Sequence, residues 1–494
     1  MRAEDPGPLS PGEFGRALHE FLRVSLELAP VEEPEVARRL REHLGADRLD
    51  ELPILRRELQ RSDHPNLQVA LDRLLAGGRW SAEMLGLRSE LGFHGPEGVG
   101  LAFLARGGRR ELTAGAVIAA LEHVTMPLGA GESIACVVNA LVLMRDGERR
   151  LAALISRGEN RMGAPALRLE VIAREGAEAE RLLGEIEALM REHNVYRGRV
   201  VAFGGDPEME GIALEVRTLP AVARDAIILP QGALERIERH ALGPARHRER
   251  LLAAGRHLKR GLLLHGAPGT GKTLTAMYLI GRMPGRTTVL LTGGALGLIE
   301  PACALARELQ PATVVLEDVD LVARERHFDM PSRPLLFELL NEMDGLAEDA
   351  DVLFLLTTNR PDVLEPALAA RPGRIDQSVE LPLPGATDRR RLIELYARGL
   401  EFRVEHLDDV VERLDGASPA HVKELLRRAA LLAAEEGDGA IAVEDRHLLA
   451  ALDELVVASA EVRASLFAPP PGAEAFPFPP DDDGEDDQES AGEW

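Results

Sequence analysis

One run of eight residues, Gly266-Ala267-Pro268-Gly269-Thr270-Gly271-Lys272-Thr273, constrains this chain more than any other feature. It follows an apolar segment, residues 261–265, with the pattern of a buried strand, and leads into LTAMYLIGRM, a helical run. The order strand, GxxxxGKT, helix answers a physical problem. Glycines let the backbone wrap a phosphate, so that several N–H groups converge on it at a helix N-terminus. Lys272 is then placed to reach β- and γ-phosphates, and the Thr273 hydroxyl to ligate Mg²⁺. The run predicts an α/β domain built around a phosphate-binding loop.

A second apolar run, residues 313–316, ends in Glu317 and Asp318. A strand ending in two carboxylates after such a loop delivers them beside it, one to hold the metal and one to orient water. A third run, residues 352–356, is capped by Thr357-Thr358-Asn359, which sets a side-chain amide within reach of the γ-phosphate and the attacking water. Farther on, Arg371-Pro372-Gly373-Arg374 holds two arginines on a stiff turn, suited to the charge compensation of phosphoryl transfer.

In this order and spacing the segments resemble the AAA family proper. The matching stretches are GAPGTGKT, VVLEDVD, FELLNEMDGL, TTNRPDVLEPAL and RPGRID, followed by GASPAHVKELLRRAA in a helical segment, and they cover about half of the chain. The resemblance implies a P-loop large domain over residues 223–384 and a helical lid over 385–458. It implies an ATPase using ATP and Mg²⁺, with nucleotide held by residues 266–273 and metal by Thr273 and Glu317. Asp318 and Asn359 would orient water, Asn359 as the sensor-1 residue. Arg371 and Arg374 resemble arginine fingers that enter the neighbouring subunit's site, so a homo-hexameric ring acting on a protein client is expected.

Three departures from the family pattern bear on activity. Most members place Asp before Glu at the strand end, whereas this chain has Glu317 before Asp318. The swap moves the carboxylates by roughly 1.5 Å, a distance to which catalytic geometry is sensitive. The mitochondrial AAA translocases of the folded Rieske protein are similar in this Leu-Glu-Asp order. The loop leading to Arg371 is one residue longer than usual. Threading members carry an aromatic–aliphatic–Gly loop after the second strand; the matching segment here, LTGGALGLI, has no aromatic and offers Leu296 or Leu298 as a weaker grip. In keeping with the AAA family proper, Ala417 and Ala420 stand in place of a sensor-2 arginine, and Lys423 fits a solvated helix face. No HExxH motif occurs. The swapped carboxylates and the missing aromatic leave a second expectation open, an ATP-gated assembly scaffold with weak hydrolysis.

The rest of the sequence reads as soluble protein. Helical patterns extend over residues 1–105, beginning with the helix start Ser10-Pro11-Gly12-Glu13. Residues 106–222 read as a small α+β domain, with strands over 135–144 and 151–156, a third over 167–173, an amphipathic helix over 178–193, and short strands over 200–203 and 212–216. From residue 459 a Pro-rich and then acidic tail, ending in Trp494, is expected to be disordered. A net charge of −24 and 3% aromatics argue against a nucleic-acid partner. Two cysteines within apolar segments, no N-terminal apolar region and no membrane-length apolar run predict a cytoplasmic location.

Overall fold

The computed structural model of the chain describes residues 15, 17–21, 33–89, 100–105, 116–159, 165–204, 213–320, 335–347, 349–362, 375–436 and 439–455. The helix start at Ser10, both turn arginines Arg371 and Arg374, and the tail from residue 459 lie outside the described residues. The chain divides into two compact units, Met1–Leu383 and Pro384–Trp494.

The first unit opens with β1 (Ile54–Leu59), β2 (Ser81–Ser89) and β3 (Ala116–Ala119), then a separate hairpin of β4 (Glu122–Gly129) and β5 (Glu132–Val138). β6 (Ala140–Asp146), β7 (Arg149–Glu159) and β8 (Pro165–Ala173) follow, and six of these strands form an antiparallel sheet in the order β1-β8-β7-β6-β2-β3. Successive residues of a strand face opposite sides, and both sides are covered here. Leu141 and Leu143 pack with Leu40, Leu44 and Leu101 from the helices Glu35–Leu44 and Leu101–Ala105. Val142 and Met144 pack with Leu71, Leu182 and Ile186 from the helices His64–Ala76 and Gly176–Glu192.

This sheet corrects the expected division at residue 105. β1 and β2 lie in the stretch read as helical, yet they pair with β8 and β6. β1 is an edge strand whose Arg56, Arg57 and Glu58 are exposed, so it lacks the apolar alternation that marks a half-buried strand. The strand expected over 135–144 is also two strands. Asn139 adopts a left-handed φ of 49°, which parts β5 from β6 and sends them to different sheets.

The second sheet comprises β9 (Val200–Gly204), β10 (Ala213–Arg217), β11 (Arg260–His265), β12 (Thr287–Leu291), β13 (Ala312–Leu316), β14 (Val352–Thr358) and β15 (Gln377–Glu380), ordered β10-β9-β12-β13-β14-β11-β15. All neighbours are parallel except β10 and β9. β13 and β14 are buried at every position, which is why they read as unbroken apolar runs. The expected boundary at 222/223 also moves. β9 and β10, read as part of the preceding domain, cover the β12 edge of this sheet, which would otherwise expose a row of unpaired peptide groups.

A seam of polar contacts ties the His64–Ala76 helix and the turn before it, which cover the six-stranded sheet, to the parallel sheet. Tyr196, 3% exposed, donates its hydroxyl to Ser62 O at 2.7 Å, and Val195 N–H donates to Asn66 Oδ1 at 2.8 Å. On the other side Arg197 donates to Gln310 O at 3.0 Å, and Gly198 N–H to Thr287 Oγ1 at 3.0 Å. Cys136 and Cys303 are both buried, which pushes their thiols up, to about 11 and about 12.

In the second unit, the helices Ala386–Tyr396, Leu407–Arg413, Pro419–Ala434 and residues 445–455 surround a short parallel pair, β16 (Glu401–Arg403) and β17 (Ala442–Glu444). Val422, Leu425 and Leu426 on the Pro419–Ala434 helix are buried, and Ser418 caps its start in a reciprocal pair with His421. Among the described residues, no helix is long and apolar enough to cross a membrane.

At the foot of the parallel sheet, Asp351 accepts from the buried guanidinium groups of Arg286 and Arg260. Burial pushes the Asp351 carboxyl up, but hydrogen bonds and charge from Arg286 and then Arg260 outweigh it and hold the group below its ordinary value. Burial, with Arg286 close by, brings Arg260 down to about 10. Asp351→Ala leaves two buried cations without a carboxylate and is expected to cost about 3–5 kcal/mol, measured by chemical denaturation. Because the folded pKa is depressed, this contribution is complete above the unfolded value of about 3.9 and is lost as pH falls below it. Wild type is therefore expected to lose stability through that range more steeply than Asp351→Asn.

Candidate nucleotide-binding site

The site forms where β11, β13 and β14 end side by side. β11 runs into the glycine loop, and three of its glycines take positive φ: Gly266 at 147°, Gly269 at 79° and Gly271 at 96°. At Gly266 the need for glycine is steric as well. A Cβ there would stand 2.3 Å from Leu381 O, in the segment whose N–H pairs with His265 O at 2.7 Å. Gly271 caps the helix Lys272–Gly281, whose first-turn N–H groups have no partner within the helix and open onto the loop. Ala267, Pro268, Gly269 and Thr273 are exposed, while Thr270 is buried and donates to Ala267 O at 2.9 Å.

Lys272 is 6% exposed and its ammonium donates back to Gly266 O at 2.9 Å and Ala267 O at 3.0 Å. Burial lowers its pKa, and the carboxylates of Asp318 and Asp320 offset part of that effect. Both carboxylates thus act on the lysine from the end of β13, across β14.

Glu317 and Asp318 follow β13 directly. Burial pushes the Glu317 carboxyl up, a hydrogen bond with Thr273 counteracts it, and the adjacent Asp318 adds to the rise. Glu317 therefore faces the residue at the start of the P-loop helix. Asp318 adopts a left-handed φ of 51° and its N–H donates to Thr357 Oγ1 at 3.0 Å. Its Oδ1 accepts from Asn359 Nδ2 at 3.2 Å. Lys272, Thr273, Glu317, Asp318 and Asn359, from three separate strand ends, are thus one connected group.

Two parts of this group were not singled out from the sequence. Thr357, at the end of β14, fixes the Asp318 backbone. Asp320 accepts from Thr358 Oγ1 and from Asn359 N–H, partners 38 and 39 positions away. The residue is visible within VVLEDVD, but its partners become neighbours only when β13 and β14 pair.

The donor set fits Mg²⁺ bound together with a nucleotide: one hydroxyl and one carboxylate beside a cationic loop. Among the described residues, no cluster of three His, Cys, Asp or Glu side chains is able to hold a metal alone.

The segment expected to offer a grip is the turn Gly293–Leu298. Leu296 is 1% exposed within the core cluster of Val289, Leu291 and Val314, and Leu298 packs against the same cluster. This corrects the expectation for Leu296, which is core; the exposed residues of this turn are glycines.

A largely parallel sheet with a glycine loop after β11 and carboxylates at the end of β13, one strand away across β14, defines a P-loop nucleoside triphosphatase. The chain carries an AAA-family ATPase domain: residues 262–383 match the family described as "ATPase family associated with various cellular activities (AAA)". It is similar to the ATP-dependent zinc metalloprotease FtsH 2 of Sphaerobacter thermophilus, 34% identical over 224 residues, 43% of this chain and 34% of that protein. The 26S protease regulatory subunit 6A of Caenorhabditis elegans is 29% identical over 237 residues, 45% of this chain and 54% of that protein. The proteasome-activating nucleotidase of Thermococcus onnurineus is 29% identical over 254 residues, 49% of this chain and 63% of that protein. The chain thus spans between about a third and just under two-thirds of these relatives.

Because Leu296 fills a packed core, Leu296→Ala is expected to lower unfolding stability by about 2–5 kcal/mol. Denaturant unfolding beside Leu298→Ala, at a half-buried position, checks the contrast. Equal, small losses would return Leu296 to the surface.

Proposed function

We propose that this chain is a ring-forming ATPase, hexameric by similarity, that converts Mg-ATP hydrolysis between subunits into movement or remodelling of a protein client. The observation that carries this reading is the connected group of Lys272, Thr273, Glu317, Asp318 and Asn359. The names of the relatives, a proteasome-activating nucleotidase among them, support a protein as the client class.

In this reading the P-loop amides and Lys272 take the phosphates, the ammonium leaving the carbonyls of Gly266 and Ala267 for phosphate oxygens. Thr273 and Glu317 hold Mg²⁺, whose chemistry is to neutralise phosphate charge. Water attacks the γ-phosphorus as the bond to the β-phosphate oxygen breaks, and Asp318 orients the water and takes its proton. Asn359, bonded to Asp318, keeps that carboxylate aimed. Arg371 and Arg374 of a neighbouring subunit offset charge on the transferred group. The domains before the motor select the client. With Leu296 in the core, the reading favours pushing or clamping a client over threading it.

One observation favours an ATP-gated scaffold with weak hydrolysis. The carboxylate expected to activate water is the shorter Asp318, and it is already engaged by Asn359.

Phosphate release at rising protein concentration separates the two readings. A ring with shared sites gives a specific rate that climbs with concentration, and Lys272→Ala lowers it by about 10²-fold or more. A flat rate near the Lys272→Ala background, with nucleotide still bound, favours the scaffold. Full turnover by a monomer removes Arg371 and Arg374 from the site.

A further inference from the structure

Asp320 lies two residues past the strand-end pair and is 7% exposed. One of its oxygens, Oδ1, accepts from Thr358 Oγ1 at 2.8 Å and from Asn359 N–H at 3.0 Å. Thr358 Oγ1 in turn accepts the Arg360 N–H at 3.0 Å, so three consecutive residues at the end of β14 are fastened to this carboxylate. From that anchored backbone the Asn359 amide reaches back to Asp318 Oδ1 at 3.2 Å. Asp318 is fixed separately, by Thr357 Oγ1 on its N–H. The Asn359–Asp318 contact therefore has two supports, and Asp320 provides the one on the asparagine side.

Burying a carboxylate is costly unless it is well paired, and a neutral oxygen would accept the same two donors. The position nonetheless carries Asp, beside the P-loop lysine on which its charge also acts. A carboxylate this buried that holds the end of β14 is suited to support the reaction from behind. Catalytic contacts tolerate little displacement, and a loss of alignment of about 1 Å costs on the order of 10²-fold in rate.

We propose that Asp320 is a positioning residue for ATP hydrolysis, holding the Asn359 amide against Asp318 without itself meeting the nucleotide. The inference rests on the ATPase reading above. It predicts an effect on turnover that passes through Asn359, and little effect on nucleotide binding.

The test measures kcat, KM and the Kd of a fluorescent ATP analogue for the full chain and for D320A, D320N, N359A and D320A/N359A. D320A is expected to lower kcat by about 10–100-fold while the nucleotide Kd stays within about 3-fold. D320N keeps an oxygen acceptor for both donors and is expected to return kcat to within about 3-fold of wild type. In the N359A background, adding D320A is expected to change kcat by less than about 2-fold, since residues acting as one unit are non-additive. Should D320A fail to fold, T358V carries the test: it removes one of the two donors and is expected to lower kcat by about 3–10-fold, again only when Asn359 is present.

Losses that multiply in the double variant, or a nucleotide Kd that weakens in step with kcat, overturn the proposal. Wild-type turnover that falls in N359A but not in D320A overturns it and leaves the ATPase reading standing. No turnover in wild type overturns both.

Discussion

The structure depends on one constraint: β11, β13 and β14 are parallel, buried on both faces, and end together. Parallel strands buried in this way carry apolar residues at most positions, so polar groups concentrate at their ends. Polar residues enter the chain where the strands stop. The glycine loop, the Glu317–Asp318 pair and the Thr357–Asn359 cap are those three stopping points. The register that pairs Leu316 with Leu356 and His265 with Thr358 therefore also sets the distances within the site.

The opposite end of the same sheet meets a different problem. There Arg260, Arg286 and Asp351 are buried together, and their mutual pairing keeps the strand starts in line. Breaking such a group is costlier than never having built it, because the remaining charges stay buried. The sheet is thus pinned electrostatically at its foot and kept open for chemistry at its top.

The edge of this sheet belongs to the N-terminal part of the chain. β9 and β10 extend it past β12, and the Tyr196–Gly198 turn binds Ser62, in the turn that precedes the His64–Ala76 helix, on one side and the start of β12 and Gln310, just past the Ile299–Glu308 helix, on the other. Asn194 also reaches Glu308 at the end of that helix. The helix begins directly after the Gly293–Leu298 turn, whose Leu296 lies in the same core as Tyr196. The two sheets keep separate packed cores, and Tyr196 joins them by packing in the core of the P-loop sheet while its hydroxyl donates to Ser62 O.

The loop, the strand-end carboxylates and the Asn359 amide were legible because each is a short local pattern: an apolar run followed by a fixed polar signature. The amphipathic helix before the motor was legible for a similar reason, its apolar residues recurring at helical spacing. β1 was not, because an edge strand with exposed Arg56 and Arg57 lacks alternation. The split of the 135–144 run was missed although it carried a signal: Asn139 is the one polar residue in the run and belongs to a type that readily turns left-handed, but the apolar residues on both sides read as one strand. The sequence by itself determined the phosphate loop and the class of chemistry, since glycine freedom and residue order act within a few positions. Tertiary structure alone decided that β9 and β10 join the motor sheet, that Leu296 is core, and that Asp320 fastens Asn359. Each of these depends on partners distant in sequence, and strand pairing, not local composition, brings such partners together.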